Sequence, residues 1–185
     1  DAKLKEALDT LLHHRNVETT IANDPIQFAH QYTDPKDKEI AAIFASFLAF
    51  GRVSLFIPVI KRWMTLCDER GGPRKAVERF SADDVSAFRT LSYRWNKHPD
   101  FVLAMFTFQR LFTEYDTVGR LIESLYDSED KDLNDTLARL ITKIESYAVA
   151  CASSVGLNVS TFSDFPDGFK RFFASPTKGS ACKRW

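Results

Sequence analysis

The sequence has few cysteines and no long apolar run. Cys67, Cys151 and Cys182 are odd in number and widely spaced, which excludes a disulfide framework and a four-ligand zinc or iron–sulfur site built from cysteine. Cysteine used in this way is typical of proteins in a reducing cytoplasm. No apolar run approaches the roughly 18 residues that cross a bilayer, and the first residues lack the apolar segment of a secretory signal. We therefore expect a cytoplasmic protein with no membrane partner.

The sequence also lacks a net charge. Its 25 basic and 25 acidic residues produce no overall field that would attract nucleic acid or a membrane surface. The charges are unevenly distributed, because residues 114–135 hold eight acids and two basic residues, whereas residues 170–185 hold five basic residues and no acid. The C-terminal end is therefore locally cationic. Its basic residues are Lys170, Arg171, Lys178, Lys183 and Arg184.

Several enzyme motifs are absent. We find no glycine-rich nucleotide loop, no nucleophile elbow, no metalloprotease helix and no zinc-finger spacing. His30 lies near Asp34, Asp37 and Glu39 in the sequence, but a metal site needs ligands that converge from several elements, and these carboxylates are better placed as helix caps. A hydrogen bond between the histidine and a carboxylate is the simpler alternative. We predict no metal site and no cofactor.

Helical periodicity dominates the rest of the sequence. Hydrophobic residues make up 44% of the 185 residues, enough for a sizeable core. About nine or ten segments have apolar residues at helical spacing, and no period-two strand pattern is present. The phenylalanines in residues 162–173 are predicted to be core residues. A first helix is predicted to face the core through Leu4, Leu8, Leu11 and Leu12. We expect an all-α fold.

Two Asp-Pro pairs mark the most informative segment. Asp24 and Asp34 are each placed to accept backbone N–H bonds as N-caps, and the proline that follows occupies the first helical position, where no N–H is needed. The second of these helices is apolar and breaks at Gly51 and Arg52. This break and the glycine-rich turn at residues 71–73 are the candidate boundaries between two lobes.

Two motifs carry a resemblance to a known family. Residues 24–32 read Asp-Pro-Ile-Gln-Phe-Ala-His-Gln-Tyr, and residues 180–184 read Ser-Ala-Cys-Lys-Arg. With these motifs the chain resembles a bacterial family of unknown function, which is itself similar to divergent helix-hairpin-helix DNA glycosylases. The resemblance implies a single all-α unit with two lobes, formed by residues 1–51 with the C-terminal end and by residues 52–175. It also implies that further helices follow Trp185, so that this sequence is an N-terminal fragment.

The resemblance implies a role for one lysine. In glycosylases that also cleave the strand, a lysine near the start of a helix attacks the sugar C1′, and a later aspartate stabilises the charge that develops. The stretch from Ser180 to Arg184 matches the lysine-bearing stretch of the family, so Lys183 becomes the candidate catalytic nucleophile that forms a Schiff base. The partner aspartate would follow Trp185. The alternative is an exposed lysine in a basic first turn.

Five further residues are candidates for contact with nucleic acid. An arginine at a helix break, such as Arg52, suits phosphate or base contact, and Lys178 and Arg184 add positive charge near the C-terminus. Tyr93 and Trp95 flank an arginine in a loop, and aromatic residues interleaved with basic ones stack on bases. The structural alternatives are an arginine that binds the free carbonyls of the broken helix and aromatics that anchor the loop to the core.

The sequence and the resemblance together predict a DNA-binding protein similar to a DNA glycosylase/AP lyase of base-excision repair. DNA is the expected partner. Two alternatives remain open, a non-enzymatic nucleic-acid-binding module and a helical protein-interaction domain that uses the acidic face of residues 114–135. The oligomeric state is not predicted.

Overall fold

A computed structural model describes residues 2–14 and 17–179. In these ranges the regular structure is helical, and the one β-type pairing is an isolated antiparallel bridge between Tyr93 and Asn96. The all-α prediction is therefore confirmed. The α-helices are α1 (Ala2–His14), α2 (Val17–Ala22), α3 (Gln27–His30), α4 (Pro35–Leu48), α5 (Val53–Asp68), α6 (Pro73–Glu78), α7 (His98–Tyr115), α8 (Val118–Leu125), α9 (Leu133–Cys151) and α10 (Asp167–Lys170).

Four 3-10 helices complete the described structure. They are Ala82–Thr90, Ala152–Val155, Phe162–Asp164 and Pro176–Lys178. None of the helices in the described ranges has both the length and the apolar composition that a membrane crossing requires.

The two Asp-Pro pairs behave differently. Asp34 caps α4 as predicted, because its Oδ1 accepts hydrogen bonds from the backbone N–H groups of Lys36 (2.8 Å) and Asp37 (3.3 Å). Asp24 accepts a bond from the backbone N–H of Ile26 (2.9 Å), but this bond closes a turn, and α3 begins only at Gln27. The helix predicted to start at the first Asp-Pro pair therefore starts two residues later.

Two other predictions need correction. The leucine stripe of α1 was expected to face the core, yet its four leucines are between 51% and 68% exposed. Periodicity identifies the apolar face of a helix but does not say what covers it. The spacing of Ser81 and Asp84 predicts the start of a short helix from Ser81 to Leu91, but the segment is a 3-10 helix over Ala82–Thr90. Asp84 does accept a bond from the N–H of Ser81 (3.0 Å).

An aromatic core joins the helices. Phe44 of α4 stacks on Trp63 of α5 with ring centroids 4.2 Å apart, and Trp63 meets Phe101 of α7 edge to face. Phe47 stacks on Phe172 at 4.9 Å. The phenylalanines of residues 162–173 are all buried, as predicted. The core is thus continuous from α4 to the segment after α10, and the division into two lobes stays a prediction.

Helix α7 lies at the centre of the arrangement. It contacts α6, α8, α9 and α10, and almost every residue in its first two turns is buried. Its N-terminus lies directly after the loop of Tyr93 to Lys97. The central helix therefore anchors this loop to the rest of the fold.

Candidate nucleic-acid interface

The helix break at Gly51 lies against the loop that contains Tyr93 and Trp95. Gly51 has a φ of +85°, and a Cβ at this position would lie 2.7 Å from Nη1 of Arg94 and 2.9 Å from the hydroxyl of Tyr93. The hydroxyl of Tyr93 donates a hydrogen bond to the carbonyl of Phe50. Two segments that the sequence marks separately are therefore in direct contact, and glycine is required where they meet.

The loop itself is a tight, pinned turn. Tyr93 and Asn96 exchange two backbone hydrogen bonds of 2.9 and 2.8 Å. Arg94, between them, has a φ of +52°, which is uncommon for a residue with a side chain. The side-chain amide of the fully buried Asn96 donates to the carbonyl of Gly168 (2.7 Å). These bonds fix the backbone that carries Arg94 and Trp95, both of which are exposed.

Trp95 forms a mixed aromatic and guanidinium cluster at the surface. Its side chain is 48% exposed. Its ring lies nearly parallel to the ring of Phe50, with an interplanar angle of 19° and centroids 6.0 Å apart. The guanidinium carbons of Arg94 and Arg171 lie 4.9 and 4.1 Å from the Trp95 ring centroid, within the range of cation–π attraction. Exposed aromatic area and positive charge therefore coincide.

A small cavity lies beside this cluster. It has a volume of about 260 Å³ and is lined by Phe50, Trp95, Lys170, Arg171 and Ala174. The amine of Lys170 is partly neutralised, because it lies 3.1 Å from a carboxylate oxygen of Asp167. In contrast, no described carboxylate pairs with Arg94. The cavity can hold a flat ring system beside Trp95, whose ring has the guanidinium groups of Arg94 and Arg171 over it.

A buried carboxylate supports the cluster from below. Asp100 is 6% exposed and accepts a hydrogen bond from the backbone N–H of Lys97 (2.8 Å). Burial raises the pKa of Asp100 to about 6. A Cβ at Gly168 would overlap the Asp100 carboxylate and lie 2.5 Å from the carbonyl oxygen of Trp95. The loop, the start of α7 and α10 are therefore packed without space for one more methyl group.

The predicted site residues have different positions. Trp95 is exposed, whereas Tyr93 is 5% exposed and supports the loop from inside. Arg52 is exposed and precedes α5, and its side chain caps no helix. Lys178 ends the 3-10 helix Pro176–Lys178. Lys183 and Arg184 lie outside the described residues.

The sequence interpretation did not select Phe50 or Arg94 as site residues, and it included Arg171 only as one of the basic residues near the C-terminus that could contact phosphates. Arg94 had a signal, because it stands between the two aromatic residues that were selected. Arg171 belongs to the cationic C-terminal run, but its position over Trp95 depends on tertiary packing. Phe50 belongs to the apolar run that ends at the Gly51 break, which predicts a core residue, and it follows the end of α4.

Two acidic residues in the first turns of α4 are structural. Asp37 accepts a hydrogen bond from the backbone N–H of Arg74 (2.7 Å) at the start of α6. Glu39 accepts bonds from the N–H groups of Val118 (3.1 Å) and Gly119 (2.9 Å) at the start of α8. Both carboxylates thus cap other helices. Within the described ranges no group of histidine, cysteine and acidic residues is arranged to hold a metal ion.

The acidic segment of residues 114–135 is partly neutralised within the chain. Glu114 pairs with Lys143 (3.1 Å), and Asp130 pairs with Arg139, which lowers the pKa of the Asp130 carboxyl. These pairs reduce the negative charge that an acidic docking face would present to a partner.

A larger open groove of about 870 Å³ lies beside α7 and α9. One of the residues that line the groove, Cys151, is half-buried, and its thiol donates a hydrogen bond to the carbonyl of Phe106 (3.6 Å). Burial raises the pKa of this thiol, so the group is held in the form that is a poor nucleophile. The groove offers less chemistry than the surface around Trp95.

Comparison of the sequence with models of protein families gives one match. Residues 24–185 match the model of a family described as Protein of unknown function (DUF2400). No curated protein matches the chain, and no solved structure matches it either.

Proposed function

The chain belongs to this family of unknown function, and we propose that it binds nucleic acid through one defined surface. The Trp95 surface consists of Phe50, Arg94, Trp95, Lys170 and Arg171. The observation that carries the proposal is the position of two guanidinium groups, 4.1 and 4.9 Å from an exposed tryptophan ring.

Both halves of this surface suit a nucleic acid. An exposed aromatic ring stacks on a base, with a contribution of about 1–3 kcal/mol per base. Guanidinium groups bind phosphate oxygens through two parallel N–H donors. A small molecule with one charged group would use only part of this arrangement, whereas a nucleotide chain presents a base and phosphates together.

The zero net charge of the chain is compatible with this function. Several acidic residues are used in ion pairs and helix caps elsewhere in the fold, so the overall balance does not describe the charge near Trp95. A local patch of cations is sufficient for phosphate contact. The sequence resemblance to DNA glycosylases supports DNA as the nucleic acid. The alternative protein-interaction role has less support, because the acidic segment is partly neutralised.

The test is a salt titration of oligonucleotide affinity, measured by fluorescence anisotropy. We compare the wild-type protein with the double variant Arg94→Gln, Arg171→Gln. The control is Arg62→Gln, Arg120→Gln, which removes two exposed arginines that pair with Glu69 and Glu123 and gives the same net charge.

The site variant should lose roughly tenfold or more in affinity, and the slope of log K against log salt should become shallower by roughly one to two units. The control should change affinity less than about twofold. Equal losses in the two variants would show that only total charge matters, and would contradict the proposal.

A further inference from the structure

We infer that the Trp95 surface takes one unpaired base of a single-stranded nucleic acid, in preference to a duplex. This inference rests on the proposed function and adds the class of ligand. Its first support is the size of the cavity. At about 260 Å³, it lies below the roughly 300 Å³ at which drug-sized pockets begin. It therefore has room for one flat ring system and not for a stacked base pair.

The second support is the orientation of the tryptophan. Bases in a duplex cover each other's faces, so only an unpaired base can offer its face to an aromatic side chain. A side chain that enters a duplex does so as a wedge between two base steps. Trp95 is no such wedge, because its ring lies nearly parallel to Phe50 and close to Arg94 and Arg171. It forms the wall of a recess.

The third support is the arrangement of cations around that wall. Arg94 comes from the loop before α7, whereas Lys170 and Arg171 come from the end of α10. Positive charge therefore reaches the ring from two separate segments of the chain. A flexible single strand can place one base on Trp95 and direct the phosphates before and after it to different cations.

The fourth support is that the recess is already built. Three sets of hydrogen bonds fix the loop without any ligand: the Tyr93–Asn96 bridge, the bond from Asn96 to Gly168 and the bond from Lys97 to Asp100. A site that needs no ordering on binding loses less free energy to conformational entropy. The fixed loop therefore favours binding of one base together with the phosphates that flank it.

The experiment uses the full chain and fluorescein-labelled 12-nucleotide probes of one sequence, as single-stranded DNA, as single-stranded RNA and as DNA duplex. Variants are Trp95→Ala and Trp95→Phe, with Tyr126→Ala as the control because Tyr126 is 58% exposed and outside the Trp95 surface. Thermal melting checks that each variant folds. Trp95 emission, measured in a Trp185→Phe background, provides a second readout, since the remaining tryptophan, Trp63, is fully buried.

A single strand, DNA or RNA, should bind at least about tenfold more tightly than the duplex. Trp95→Ala should weaken single-strand binding by roughly five- to 150-fold, the loss of one base–aromatic stack, while Trp95→Phe stays within about threefold and Tyr126→Ala is unchanged. The single strand should quench tryptophan emission in the Trp185→Phe protein, and the quenching should be largely absent when Trp95→Phe is added to it.

Two outcomes would overturn the inference in distinguishable ways. If the duplex binds as tightly as the single strand and Trp95→Ala changes neither, while Arg94→Gln with Arg171→Gln still weakens binding, the surface binds nucleic acid but not an unpaired base. If no probe binds, the proposed function fails together with the inference.

Discussion

Arg74 binds both polar groups of Asp116. Its guanidinium donates one hydrogen bond to the backbone carbonyl of Asp116 and lies 3.0 Å from the carboxylate oxygen Oδ1. Asp116 ends α7 with a φ of +63°, a left-handed conformation that is costly for a residue with a side chain. The same guanidinium lies 4.3 Å from the ring centroid of Phe112. One buried arginine therefore stabilises the turn between α7 and α8.

Arg74→Met should destabilise the protein by about 2–3 kcal/mol. The methionine keeps part of the packing against Phe112, but the backbone carbonyl of Asp116 and the carboxylate of Glu78 lose their partner. The carboxylate of Asp116 keeps only its pair with Lys36. Urea unfolding followed by circular dichroism measures the change. Arg120→Met, which removes an exposed pair with Glu123, should cost less than about 0.5 kcal/mol. Similar costs for both would show that burial of Arg74 is unimportant.

Gly168→Ala should destabilise the protein and disturb the Trp95 surface. The new methyl group would overlap the Asp100 carboxylate and press on the carbonyl of Trp95, so the expected cost is about 2–3 kcal/mol. Gly119→Ala is the matched control, because the atoms nearest to its Cβ are 3.7 Å away and the residue is helical. That variant should be neutral or stabilised by up to about 1 kcal/mol. Thermal melting compares the two, and a neutral Gly168→Ala would refute the tight packing of α10 on the loop.

Asp100 should make stability depend on pH. Burial raises the pKa of Asp100 to about 6 in the folded protein, against roughly 3.9 in an unfolded chain. The folded state therefore binds this proton more tightly, and the contribution of Asp100 to the free energy of unfolding falls as pH rises from about 4 to about 6 and is constant above that.

The variant Asp100→Asn tests this dependence. Asparagine still accepts the hydrogen bond from Lys97, but it does not ionise, so the fall between pH 4 and 6 should be smaller and the variant should gain about 1–2 kcal/mol relative to wild type at pH 8. Urea unfolding at a series of pH values gives both curves. Parallel curves would show that Asp100 ionises normally.

The sequence could predict the features that depend on local chemistry. The Asp34 cap is such a feature, because its carboxylate acts on the next residues of the chain, and the side-chain caps of α8 by Thr117 and of α9 by Asp132 are of the same kind. The exposure of the α1 leucines and the remote helices capped by Asp37 and Glu39 depend on which elements pack together. The periodicity of a segment contains no information about its neighbours in space.

The site was predicted in parts. The sequence marked the helix break at Gly51 and the loop of Tyr93 and Trp95 separately, but the contact between Gly51 and Tyr93 arises from tertiary packing. It could not separate the two aromatics, because the direction of each side chain depends on the turn geometry set by Arg94 and Asn96. Arg171 contacts Trp95 from a distant part of the sequence, and no local sequence pattern predicts such a contact.

Lys183 carries a chemical prediction that comes from the sequence resemblance. In a protein that carries both Lys183 and a partner aspartate, borohydride should trap a covalent adduct with abasic-site DNA, because an imine to Lys183 would be reduced. Lys183→Gln should abolish the adduct and leave DNA affinity within about threefold, since charge removal at one site weakens phosphate binding only slightly. Lys178→Gln is the control and should still be trapped. Trapping that persists in Lys183→Gln would assign the nucleophile to another residue.

The carboxylates at the start of α4 determine which helices unfold together. Asp37 and Glu39 hold the first backbone amides of α6 and α8, groups that have no partner within their own helices. If α4 detached, both helix ends would lose their acceptors at once. Helices α4, α6 and α8 therefore behave as one cooperative unit, and their amide protons should exchange with solvent together rather than helix by helix.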